Sequence, residues 1–101
     1  MLHAPSAAGL ANALRQAPTS VYLAKDLLRA SRLPLLERTD VHVAKDLVKV
    51  HEGQRLSLVL LVRGRASASH PLIAADGYHR ICASYWIDED APIPCRIVDL
   101  P

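Results

Sequence analysis

Asp76, Gly77, Tyr78, His79 and Arg80 follow one another in the stretch ADGYHR, between the apolar run HPLIA and the segment ICASYW. An acid, a residue without a side chain, a phenol, an imidazole and a guanidinium at the junction of a strand and a helix point to anion chemistry. A helix beginning at Tyr78 leaves its first backbone N–H groups without intrahelical partners, and its aligned peptide dipoles place about half a positive charge there. Gly77 puts no Cβ between that backbone and a ligand oxygen, and it permits positive φ in a tight turn. His79 and Arg80 add donors, and a charge-assisted hydrogen bond contributes about 1.5 to 3 kcal/mol. Two or three such bonds support millimolar to micromolar binding, about 4 to 8 kcal/mol before ordering costs. The arrangement is sized for a phosphate group.

Asp76 opposes the same anion unless a divalent cation lies between them or its carboxylate points elsewhere. A purely structural account also covers these residue types. Asp-Gly is a common turn pair, Asp76 would accept from the first helical N–H groups, and His79 and Arg80 would be solvated with nothing bound.

The elements that must position this stretch are read from periodicity. Thr19 and Ser20 follow Pro18 and predict the cap of a helix in which Leu23, Leu27 and Ala30 share a face, ending before Pro34. Thr39 and Asp40 predict the cap of a second helix with Ala44, Leu47, Val48 and His51 on its apolar side, stopped by Gly53. Residues 19–31 and 39–51 are identical at six of thirteen positions, which two helices of similar design would explain without a repeat architecture. The period then changes. SLVLLV and PLIAA are unbroken apolar runs of strand length, predicted as strands covered on both faces or central in a sheet. Tyr78, Ile81, Cys82 and Tyr85 fall on one helical face, and CRIV is a last strand. PLIAA, this helix and CRIV form a candidate βαβ unit, with ADGYHR at the carboxyl end of its first strand, where ligands gather.

Composition sets the outer limits. A chain of 101 residues, half of them hydrophobic, is one domain that buries about two-thirds of its unfolded surface. A net charge of +2 gives no composition-level case for nucleic-acid binding. Arg55, Arg63, Arg65 and His70 surround the two strands as a candidate basic patch, but the aromatics are too few for a base-stacking platform. Cys82 and Cys95 lie in apolar sequence without metal-ligand spacing, as buried reduced thiols do. The longest apolar run, Leu58 to Val62, is far below the roughly 20 residues of a membrane span, and the first residues lack signal-peptide organisation. A soluble, cytoplasmic protein of bacterial type is expected.

Residues 53–98, with GQRLSLVLLVRG, PLIAADGYHRICAS and IPCRIV, resemble the ParB/sulfiredoxin superfamily. There a strand leads into a G-x-H-R or G-x-x-R turn whose helix N-terminus holds nucleotide phosphates, and Gly77, His79 and Arg80 match that pattern. Tyr78 stands where sulfiredoxins carry their nucleophilic cysteine, so sulfinate reduction is not expected. The longer, DNA-reading architecture of chromosome-partition proteins is not expected from these 101 residues, and ADGYHR differs by one residue, Tyr78, from the Asp-Gly-His-His-Arg form of the branch that includes ADP-dependent serine kinase.

The resemblance implies an α+β fold, a small mixed sheet flanked by helices over residues 19–101. Residues 1–18, weakly patterned and broken by Pro5 and Pro18, are expected to be a loosely structured arm or a short helix. It implies a nucleotide or other phosphorylated small molecule held by Gly77, Tyr78, His79 and Arg80, with Ser57 and Arg63 as further contacts. ATP, ADP or CTP with Mg²⁺ are the implied ligands, and Asp76 would hold the metal or take a hydroxyl proton if phosphotransfer or hydrolysis occurs. Two alternatives stand beside it: a non-catalytic interaction module, with a protein partner or a second copy, and a DNA-binding or nuclease-like relative.

Overall fold

The computed structural model describes residues 7–64 and 72–99. Along them run α1 (Ala7–Gln16), β1 (Thr19–Leu23), α2 (Ala24–Ser31), α3 (Val41–His51), β2 (Val59–Arg63), β3 (Leu72–Asp76), α4 (Tyr78–Ile87) and β4 (Pro92–Asp99). The strands make one mixed sheet in the order β1-β4-β2-β3. β4 is antiparallel to β1 and parallel to β2, while β2 and β3 are antiparallel. The described residues thus form a small mixed domain of four helices and four strands.

One face of the sheet carries the core. Val59 and Leu61 of β2 lie beside Cys95 and Ile97 of β4, and Leu61 is opposite Ala74 of β3. Ala24, Leu27 and Leu28 of α2, Val43 of α3, and Ile81, Cys82 and Ala83 of α4 close over them. α1 packs on β4, with Leu14 buried and the carbonyl oxygen of Arg15 accepting from Arg96 Nη1 at 2.9 Å. Residues 1–6 of the expected arm lie outside the described residues.

Several expectations are corrected. Residues 19–23 are a strand, not the start of a helix. The run TSVYL contains β-branched and aromatic residues, and its register against β4 pairs Ser20 with Cys95 and Tyr22 with Ile93. α2 therefore starts at Ala24 without a side-chain cap, its first amides instead donating to the carbonyls of Ala91 and Glu89 at 3.0 Å. It buries Ala24, Leu27, Leu28 and Ser31, while Ala30 is exposed.

In α3 the packed side is centred on Val43 with Leu47, and Ala44 is half-buried; Val48 and His51 are exposed. The helix is turned from its expected stripe because the core meets it beside α4. PLIAA, α4 and CRIV are not a βαβ unit either. β2 lies between β3 and β4, and the parallel pair is β2 with β4, so the crossover contains both β3 and α4. β3 is an edge strand with Ile73 exposed, not a strand covered on both faces. β4 is longer than CRIV, beginning at Pro92.

Candidate functional site

Gly77 links β3 to α4 with φ +105° and ψ 15°, a left-handed conformation that side chains oppose. A Cβ there would stand 2.9 Å from Val59 Cγ2 and 3.2 Å from Val59 Cα, so the turn lies directly on β2. Gly77 offers no side-chain cap, and among the described residues nothing is hydrogen-bonded to the amides of Tyr78, His79 and Arg80. The start of α2, by contrast, is closed by loop carbonyls.

Arg80 anchors the turn from the side. Its Nη1 donates to the carbonyl oxygen of Leu58 at 2.9 Å, and its Nη2 lies 3.4 Å from Asp76 Oδ2. Asp76 therefore does not cap α4; its carboxylate meets the guanidinium one helical turn away. His79 meets His42 of α3, the ring centroids 4.6 Å apart.

α3 is held in place by its own cap and by α4. Asp40 Oδ1 accepts from the amides of His42 at 2.9 Å and Val43 at 3.1 Å. The Val43 bond is the main cause that lowers the Asp40 carboxyl below its ordinary 3.8; the His42 amide and the two imidazoles act the same way, against partial desolvation. Between the α2 and α3 helices, residues 32–40 are tied to α4 by Tyr78 Oη donating to the carbonyl of Pro34 and Trp86 Nε1 donating to that of Leu36 at 2.7 Å.

These elements enclose a cleft of about 240 Å³. α3 contributes His42, Lys45, Asp46 and Lys49; the segment entering β2 contributes Arg55, Leu56 and Ser57; the turn contributes Asp76, Gly77, His79 and Arg80. Four fixed cations face two carboxylates, so the cleft holds a charge excess equal to that of the whole chain, +2.

Of the residues expected at the site, Ser57, Asp76, Gly77, His79 and Arg80 come together there. Tyr78 does not line the cleft: its ring packs on the core and its hydroxyl is engaged by Pro34, with burial raising its pKa. Arg63 is at the opposite end of the hairpin, because antiparallel pairing sets it against Leu72 while Leu60 meets Asp76. There it pairs with Asp99 at 3.2 Å. Arg55 and Arg63 consequently do not form one patch, and Arg65 and His70 lie outside the described residues. The acids after α4 are exposed, and Asp90 pairs with Lys25 at 2.5 Å. Cys82 and Cys95 are buried free thiols, both pushed up in pKa by burial.

Leu56, Arg55 (expected only in a basic patch) and, from α3, His42, Lys45, Asp46 and Lys49 are additions to the expected site. The signal of the four α3 residues is a polar stripe at i, i+3, i+4 and i+7, which is also the ordinary solvent face of an amphipathic helix. Comparisons of the chain with protein-family models, curated proteins and solved structures give no match.

Proposed function

We propose that this chain binds a phosphorylated small molecule, with nucleotides as the leading candidates, and that its phosphates enter the cleft between α3 and the first turn of α4. The observation that carries this reading is the convergence of Lys45, Lys49, Arg55 and Arg80, from three separate segments, on a helix start that has no side-chain cap. Such a start favours anions through its free amides and dipole. A volume of about 240 Å³ lies under the roughly 300 to 1,000 Å³ of pockets that enclose drug-sized ligands. It suits the phosphate-bearing end of a molecule whose remainder lies outside.

Asp46 and Asp76 line the same cleft. Mg²⁺ is commonly held by one or two carboxylates together with substrate phosphates, so this donor set fits a cation that arrives with a nucleotide. Such a cation would neutralise the phosphates beside Asp76. For Asp76 to accept a hydroxyl proton in phosphotransfer or hydrolysis, its contact with Arg80 would have to open. The resemblance of residues 53–98 to ParB/sulfiredoxin proteins supports the same placement of phosphate, and kinship with that superfamily is part of the proposal.

Calorimetric titration with pyrophosphate, ATP, ADP and CTP, with and without Mg²⁺ at low salt, tests it. Binding in the millimolar to micromolar range is expected, with a rise in melting temperature at saturating ligand. Absence of heat and of thermal stabilisation with every one of these anions would overturn the assignment.

A further inference from the structure

Arg80 and Ser57 belong to two clefts. Beyond them lies a second recess of about 320 Å³ that shares Arg55, Leu56, Ser57 and Arg80 with the basic cleft and is otherwise lined by Val59, Ser84, Pro92, Ile93 and Pro94. Its origin is in the sheet. The parallel ladder between β2 and β4 begins only at Val59 opposite Cys95. Pro92 and Pro94, just before that point, have no N–H to donate, so residues 55–57 are not drawn into the ladder and a gap remains between them and β4.

The chemistry of this recess differs from that of its neighbour. The side chains of Val59 and Ile93 are buried and apolar, two proline rings add rigid apolar wall, and the hydroxyls of Ser57 and Ser84 supply polar contacts. A closed apolar cavity of about 150 Å³ is enough for benzene, so a ring-sized group fits in this open one.

We infer that the second recess accepts a compact, ring-sized apolar group attached close to a phosphate, so that phosphomonoesters carrying such a group are a second ligand class beside the nucleotides and bind more tightly than bare phosphate. This rests on the phosphate assignment of the basic cleft. The Arg80 guanidinium, held by Leu58 and Asp76, is the fixed partition across which one molecule spans both spaces.

Titrations of the full chain with inorganic phosphate and with phenyl phosphate test the inference, each repeated on Ser84→Phe and on Pro94→Phe. The two variants are placed to fill the second recess from α4 and from Pro94, an exposed position of β4, and neither residue lines the basic cleft. Phenyl phosphate is expected to bind at least about tenfold more tightly than inorganic phosphate, as burial of a ring's apolar surface allows. Each variant should reduce phenyl phosphate to the affinity of inorganic phosphate while leaving the latter unchanged. Should Ser84→Phe lose its cooperative melt, Pro94→Phe decides. Equal affinities for the two anions in the wild type, or a preference that survives in a folded variant, would overturn the second recess alone. Failure of both anions to bind would overturn this inference, and the basic cleft falls with it only when pyrophosphate and the nucleotides fail as well.

Discussion

Arg80 donates to the carbonyl oxygen of Leu58 at 2.9 Å, fixing a cation of the first turn of α4 to the backbone that leads into β2. The bond makes one side chain both a structural tie and a wall of the candidate site. Loss of Arg80 should therefore affect stability and binding at once.

Arg80→Ala is expected to lower the unfolding free energy by about 1 to 3 kcal/mol, the range for a hydrogen bond to a charged group with its acceptor left behind. The contact with exposed Asp76 should add little. Urea denaturation measures the first effect and phosphate titration the second. Arg80→Lys keeps the charge without the planar fork, so it should recover part of the affinity and less of the stability. Wild-type stability in Arg80→Ala would show that the Leu58 bond contributes nothing.

Gly77→Ala and Gly53→Ala form a matched pair. Both glycines have positive φ, +105° and +78°, but a Cβ at Gly77 meets Val59 at 2.9 Å while nothing lies within 4 Å of one at Gly53. The Gly53 change should cost about 1 kcal/mol in conformational strain alone, and the Gly77 change at least about 2 kcal/mol, because the contact includes backbone. Thermal melts of the two variants give the comparison, and equal losses would contradict the close approach of the turn to β2.

Reversing Lys45 and Lys49 together to Glu should leave stability within about 0.5 kcal/mol, since both are exposed. Affinity for pyrophosphate should fall by at least about tenfold at low salt, and the wild type should itself weaken as salt is added. An unchanged affinity in this double variant would remove α3 from the site.

The Asp40 carboxyl is lowered below 3.8 in the folded protein, so its contribution is fully present above that value and is lost as the pH falls through its folded pKa. Asp40→Ala removes the cap of α3 and should melt below the wild type at neutral pH, with the gap closing in acid. Asp40→Asn retains a capping oxygen and should show a smaller deficit at neutral pH. Melting temperatures from neutral pH down to well below 3.8 check both, and a gap that does not narrow in acid would mean the carboxylate charge is not involved.

The two related segments show where local sequence stops being sufficient. Thr19 to Leu23 and Thr39 to Val43 share Thr and Val at matching positions, yet one is a strand and the other a helix start. Asp40 holds two amides locally, which any chain with that residue can do before it folds further. Ser20 has no comparable hold, and its segment pairs with β4, Ser20 itself opposite Cys95, far along the chain. Propensity cannot report a partner so distant.

What the sequence by itself determined were the features built from neighbours: the turn at Gly77 and the helix from Tyr78, the capped start of α3, and the apolar runs that became β2 and β3. The site was legible only on the side where its residues are consecutive, Asp76 to Arg80, and at Ser57. Tertiary structure decided the rest. Strand order carried Arg63 to the far end of the hairpin, and the packing of Val43 against α4 turned His42, Lys45 and Lys49 toward the turn. The physical reason is range. Turns and caps are settled by hydrogen bonds across a few residues, whereas the wall of a cleft is set by which elements share a core.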